Sequence, residues 1–296
     1  MIVHLIDGTY ELFRHFYGQR RFNKGKDKSF GAVVGVLNGV LQMIEEGATH
    51  LGVATDHVIE SFRNELWPNY KTGEGIEWAL RAQFHPLEEA LASMGVVVWP
   101  MIELEADDAL ASAAHLAAAD PRVLKVCIWT PDKDLAQCVQ EDHVVQVDSK
   151  AGGIRDANAI FKKFGVSPLL IPDFLALVGD SADGYPGVPR WGAKSASALL
   201  AYYGHLESIP DRESDWQVSV RGAAALAASL REHRDDAALY RLLATLRVDV
   251  PLTEQLDDLR WLGARREELT ALCRETEDEE FVERVATWRV DAVEGL

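Results

Sequence analysis

Four short apolar runs mark the first 130 residues: 2–6, 50–55, 95–100 and 123–130. Each is too brief for a helix, and three of them lead into an acid: Asp7, Asp56 and Asp132. Between the runs, apolar positions recur at helical spacing over 30–46, 77–94 and 105–119. Buried strands alternating with amphipathic helices predict a parallel sheet covered on both faces, an α/β class. From about residue 157 the pattern is helical with Gly- and Pro-punctuated loops, and 219–296 is rich in Ala, Leu, Arg and Glu with no strand signal. The expected division is an α/β domain over 1–170 and a helical module over 171–296, with the break near Gly165, Pro168 and Pro172.

The acids fall where this architecture gives them meaning. In an open parallel sheet, ligands bind beyond the C-terminal strand ends at the topological switch point. Asp7, Asp56 and Asp132 are all expected there, and their mutual repulsion is costly without a cation. Two denser groups join them: Glu105-Ala106-Asp107-Asp108 opens a helix, and Asp132-Lys133-Asp134 follows the fourth strand. A third, Asp180 with Asp183, lies in a polar turn. Each has a plain alternative alone, since acids in a first helical turn complement the helix dipole and a Gly-flanked acidic turn is an ordinary loop. Together, nine carboxylates without His or Cys form an oxygen-only donor set suited to hard cations, Mg²⁺ or Mn²⁺. Two such ions about 3.5–4 Å apart serve phosphodiester hydrolysis.

Charge alters this picture less than its sum suggests. The net charge of −17 argues against a protein that coats nucleic acid without specificity. Residues 1–28 nevertheless carry six basic side chains against three acids, whereas 205–296 carry 12 Arg against 21 acids. Three widely spaced cysteines give no disulfide framework or zinc ribbon and point to a reducing, cytoplasmic setting. No run approaches 18 apolar residues, so no membrane span is expected, and the start has no basic leader segment. The nine histidines lack metal spacing, and no Ser or Cys nucleophile constellation is present.

These motifs, in this order, resemble the 5′ nuclease (flap endonuclease) family, in particular the bacterial 5′–3′ exonuclease domain of DNA polymerase I and its free-standing forms. The likeness runs through Ile6-Asp7-Gly8, Asp56, Ser61-Phe62-Arg63-Asn64-Glu65, Tyr70-Lys71, Glu105 to Asp108 and Thr130-Pro131-Asp132-Lys133-Asp134-Leu135. It is strongest from Asp173 through Gly179-Asp180-Ser181-Ala182-Asp183-Gly184 to Lys194, and continues to Arg247-Val248-Asp249-Val250-Pro251-Leu252, covering about 1–252. The resemblance implies a PIN-like nuclease domain followed by a helix–three-turn–helix module. It implies a first metal site of Asp7, Asp56, Glu105 and Asp107 with Asp108 nearby, and a second of Asp132, Asp134 and Asp183 supported by Asp180. Lys71 matches the lysine that contacts the scissile phosphate, and Arg14 and Arg63 match basic positions along the substrate path. The loop 187–194 would hold the duplex arm through Gly187, Arg190, Gly192 and Lys194, with K⁺ on its carbonyls. The implied substrate is branched or nicked DNA bearing a 5′ end or flap, with any polymerase partner a separate chain.

Two residues depart from the family pattern. Glu74 stands where an Arg usually follows the Tyr-Lys pair, replacing a cation that would stabilise developing phosphate charge. Trp191 stands where a small aliphatic residue is usual, and either packs or stacks. The arch from Lys71 to about Arg81 is short and acidic. Three rivals are weighed. A haloacid-dehalogenase-type phosphatase would need its nucleophilic Asp at Leu5 and fails there. A PIN-type ribonuclease has the fold but not the helical module. A non-catalytic, structure-specific DNA-binding protein is favoured by Glu74 and opposed by the clustered acids.

Overall fold

The computed structural model describes residues 1–23, 30–148, 153–276 and 278–290, and the side chains of 20–23 are outside that description. The basic side chains at Arg20, Arg21, Lys24, Lys26 and Lys28 therefore lie outside the described residues. Six strands, β1 (Ile2–Asp7), β2 (His50–Asp56), β3 (Val97–Met101), β4 (Lys125–Trp129), β5 (Val144–Asp148) and β6 (Gly153–Arg155), form one sheet in the order β3-β2-β1-β4-β5-β6. All pairings are parallel except β5 with β6. The chain winds outward through β2 and β3, then crosses back to β4, so the switch point lies between β1 and β4.

Helices α1 (Gly8–Asn23), α2 (Gly31–Glu45), the single turns α3 (Arg63–Leu66) and α4 (Trp78–Arg81), α5 (Phe84–Ser93) and α6 (Ala106–Ala119) connect the strands. Alternation along the strands sets the two faces. Ile6, Leu51 and Val53 pack under Leu12 and Phe16 of α1 and under α2 and α5. Val3, Leu5, Val126 and Ile128 pack on the opposite face against the alanines of α6. The helix expected over 77–94 is broken, because Pro86 cannot extend a helix back through Ala82. At the break, buried Gln83 accepts from the backbone N–H of Ala32 and Val33 and so ties α2 to α5. Helix α1 and strands β5 and β6 have no counterpart in the hydrophobic pattern. The polar face of α1 and the brevity of the strands conceal them.

A second core is built from α7 (Ala157–Phe164), α8 (Ile171–Val178), α9 (Ala193–Tyr203), α10 (Ala223–Glu232) and α11 (Arg234–Ala244). It also takes in Tyr70, Ala136 and Val139 from the first half. After α11 the chain returns to the sheet. Leu246 and Leu259 join the α6 face, while Leu269 and Cys273 of α12 (Arg266–Glu275) and Phe281 of α13 (Glu280–Arg284) join the α5 face. The expected module over 171–296 is thus split by packing: its helices to α11 form the second core, and the residues from Leu246 to Val285 complete the first.

The α8–α9 loop depends on a backbone crossing that only glycine permits. Gly187 has φ +72°, and a Cβ there would lie 2.2 Å from the backbone nitrogen of Gly179. Gly187→Ala is expected to lower the unfolding free energy by about 2–4 kcal/mol in urea titrations, because strain and a backbone clash coincide.

Candidate active site and metal centre

The carboxylates meet because they cap adjacent parallel strands. Asp7 ends β1 and Asp56 ends β2, Glu105 and Asp107 start α6 after β3, and Asp132 and Asp134 follow β4. The α8–α9 loop brings Asp180 and Asp183 from the helical side, and its Asp183 carbonyl accepts from the Lys71 backbone N–H at 3.1 Å. Local hydrogen bonds fix the acids. Asp7 accepts from Tyr10 N at 2.8 Å and Thr130 Oγ1 at 3.0 Å, and Asp56 accepts from Ala106 N at 2.9 Å. Asp132 accepts from Asp134 N at 2.9 Å.

Negative charge here is under-compensated. Burial, with Asp56 and Asp132 nearby, pushes the Asp7 carboxyl up to about 7. Burial, with Asp180 and Asp132 close by, raises Asp183 to about 6. Asp56, Asp107 and Asp134 are also raised, burial being the largest cause for each. Oxygens of Asp134, Asp180 and Asp183 lie within 4.8 Å of one another. Asp134 Oδ1 is buried with no hydrogen-bond partner among the described residues. An oxygen-only, electron-rich cluster with an orphaned carboxylate oxygen fits a hard divalent cation.

Three side chains oppose this charge. Lys71 Nζ lies 2.8 Å from Glu105 Oε2. Burial works against the Glu105 charge, but Lys71 and Arg63 hold its carboxyl below the ordinary value. Lys133 Nζ lies 2.5 Å from Asp180 Oδ2, a partner that sequence reasoning did not single out although it stands between two of the acids.

Arg63 is the third, and its place corrects two expectations. It is fully buried, so it cannot line a substrate path. Its guanidinium donates to Glu105 Oε1 (3.0 Å), to both Asp108 oxygens (2.8 Å each), and to the carbonyls of Leu243 (2.8 Å) and Thr245 (3.1 Å). Asp108, expected near the first metal site, is likewise fully buried. Its two oxygens accept from Arg63 and from the backbone N–H of Glu105 and Arg247, at 3.0 and 2.9 Å, leaving no free lone pair for a cation.

The remaining expected residues are spread around this centre. Arg14, about two turns into α1, is paired with Glu11 at 2.9 Å and lines a groove with Trp129 and Asp148 rather than the carboxylate cluster. Arg190, Gly192 and Lys194 are exposed at the start of α9, Arg190 with φ +74°, while Gly187 is buried. Trp191 packs: it is buried, meets Trp216 edge-on at 6.3 Å and donates to Leu226 O at 3.2 Å. The arch contains only the single turn α4, with Glu74 exposed and Trp78 82% exposed. Arg81 Nη1 lies 3.9 Å from where a side chain on Gly73 would begin, which places a guanidinium beside the Lys71 loop.

An acidic cradle at the switch point of a parallel sheet, closed by a helical module, defines a PIN-like, resolvase-like fold with a centre suited to hard cations. Residues 2–165 match the family model for the 5′–3′ exonuclease N-terminal resolvase-like domain, and 166–267 match the 5′–3′ exonuclease C-terminal SAM fold. The chain belongs to the 5′–3′ exonuclease family. It is 36% identical over 283 residues to DNA polymerase I of Pseudomonas aeruginosa, covering 92% of this chain but 30% of that polymerase. It is 32% identical over 249 residues to a 5′–3′ exonuclease of Buchnera aphidicola (subspecies Baizongia pistaciae), covering 83% of this chain and 82% of that protein. Among solved structures, the T5 D15 protein co-crystallised with metal ions is similar at TM-score 0.63 and 16% identity, over 96% of this chain and 97% of that one. The catalytic core of Rad2 in complex with DNA substrate is similar at TM-score 0.62 and 15% identity, over 95% and 90%. At these identities the structural likenesses establish the fold.

Two predictions follow from the charges. The folded Asp7 and Asp183 hold protons that the unfolded chain releases near its ordinary value of 3.8. Their contribution to stability is full below about pH 4 and is lost as pH rises through 6 and 7. Thermal melts of the cation-free protein are expected to show a melting temperature falling from pH 5 to 8, and Mg²⁺ to raise it by an increment that grows over the same window. Asp108→Asn should cost about 3–5 kcal/mol in urea unfolding by uncompensating Arg63, while the number of Mn²⁺ ions bound per chain stays the same.

Proposed function

We propose that this protein is a structure-specific 5′ nuclease that hydrolyses phosphodiester bonds at 5′ ends and 5′ flaps of branched or nicked DNA with Mg²⁺ or Mn²⁺. The observation that carries the reading is the set of raised, under-compensated carboxylates at the sheet's switch point with Lys71 beside them. Asp7, Asp56, Glu105 and Asp107 would hold one cation, and Asp132, Asp134 and Asp183 the other, with Asp180 tied to Lys133. Bound there, divalent cations supply Lewis acidity and neutralise charge developing on the scissile phosphate.

The chain's own groups do the remaining work. Lys71 exchanges its contact with Glu105 for a phosphate oxygen and orients the phosphodiester. Arg81, at the end of α4 and beside Gly73, supplies the cation that Glu74 does not. The exposed Arg190, Gly192 and Lys194, on the turn that Gly187 shapes, hold duplex phosphates, with K⁺ on the loop carbonyls, so that recognition is of backbone and shape. Arg14 contributes to the substrate path outside the catalytic centre. The chain would act in the cytoplasm alongside DNA polymerase activity. Among the described residues no helix is long and apolar enough to cross a membrane.

The test is cleavage of an end-labelled 5′-flap duplex with Mg²⁺, with Mn²⁺ and with EDTA. Products at the junction are expected with either metal, none with EDTA, and at least about a hundredfold less with Asp132→Ala. Retention of flap DNA without cleavage under any metal would instead identify a non-catalytic binder disabled by Glu74. In the same assay Arg81→Ala should lower kcat by about tenfold to a hundredfold, and Glu74→Ala should leave it the same or raise it.

A further inference from the structure

Two buried side-chain atoms have no hydrogen-bond partner among the described residues: Asp134 Oδ1 and the Tyr185 hydroxyl. They belong to the same place. Tyr185 closes the turn that carries Asp180 and Asp183, exchanging backbone hydrogen bonds with Asp180 at 2.8 and 3.0 Å. The charges acting on its hydroxyl are Asp134, Asp180, Asp183 and Asp132, the second-site carboxylates. The side chain is 1% exposed, and its ring stacks on Tyr240 at 5.5 Å and 20°. Tyr240 meets Trp67 edge-on at 5.6 Å, and Trp67 Nε1 donates back to Gly184 O at 3.1 Å. The ring is thereby held against Tyr240 beneath the turn that carries Asp180 and Asp183.

A buried hydroxyl without a partner is costly, and Phe would fill the same volume without that cost. What Phe lacks is a donor within the field of the second-site carboxylates, where Asp134 Oδ1 is also without a partner among the described residues. We propose that Tyr185 is a positioning residue for the second cation site: its hydroxyl, which makes no hydrogen bond among the described residues, becomes the donor to the Asp134–Asp183 carboxylates when an ion draws them together, and so fixes which of their oxygens face the ion. Outer-shell donors of this kind orient ligands and tune metal affinity. The inference rests on the cation reading of the cluster given above. Tyr70, whose hydroxyl lies 3.5 Å from Glu105 Oε2, occupies a comparable position at the first site.

Tyr185→Phe tests it by Mn²⁺ titration of the DNA-free protein, with free Mn²⁺ read by electron paramagnetic resonance, and by thermal melts with and without Mn²⁺. The expected result is a melting temperature in EDTA that is kept or raised, a weaker Mn²⁺ site loosened about tenfold or more, and a tighter site unmoved. Half-saturating Mg²⁺ for flap cleavage should rise in parallel, with kcat at saturating Mg²⁺ changed less. An isotherm identical to the parent's overturns the proposal, as does a lower melting temperature in EDTA with unchanged Mn²⁺ affinity, which would make the hydroxyl part of the packing. If the parent protein itself binds no Mn²⁺, the cation reading of the cluster fails, and this inference with it.

Discussion

The buried guanidinium of Arg63 is the constraint on which the rest of the architecture depends. All of its hydrogen-bonding directions are used, and they reach three separate parts of the chain: the first turn of α6, the C-terminal end of α11 and the strand of chain that follows it. Burial works against its charge, and hydrogen bonding to Asp108 together with the charges of Glu105 and Asp108 more than offsets that cost. A carboxylate pair on one side and helix-end carbonyls on the other suit a planar, five-donor cation in a way that lysine could not reproduce. Because Leu243 and Thr245 lie where the helical core returns to the sheet, the same side chain that sets the Glu105 carboxylate also fixes how the two cores meet.

Around that clamp the acids divide into two physical kinds. Asp108 is saturated with donors and acts as structure, while buried Asp7 and Asp134 and half-buried Asp107 and Asp183 lie near one another with too few cations to balance them. Such an arrangement destabilises the cation-free fold at neutral pH, and the two cores and the backbone crossing at Gly179 and Gly187 must offset it. Lys71 and Lys133 each neutralise one carboxylate from a partly exposed position, so both are able to change partners. Arg63 is not. The site thus combines one fully buried cation that shapes it with two partly exposed ones.

The helical module contributes directly to the carboxylate cluster. Its core reaches into the catalytic half through Tyr70, the residue before Lys71, and its turn supplies Asp180, Asp183 and Tyr185 to the carboxylate cluster. Conversely, the chain beyond α11 closes both faces of the sheet. Neither half is complete without the other, which makes the position of the α8–α9 loop relative to the strand ends a property of the whole packing.

Much of this was legible in the order of residues. Short apolar runs and apolar positions at helical spacing marked four strands and three helices, and parallel strands ending in Asp7 and Asp56 placed carboxylates at one edge, because strand polarity fixes where C-terminal ends fall. Residue type alone gave the hard-cation chemistry. Sequence could not separate Asp107 from Asp108, neighbours of identical chemistry; helical geometry sends one toward the cluster and the other to Arg63. Nor could it tell that Arg63 is buried, that Trp191 packs, that Lys133 reaches Asp180, or that residues 246–285 belong with the first half. Each of these depends on partners more than 40 positions away or on which way a side chain leaves its backbone, and only three-dimensional packing sets those.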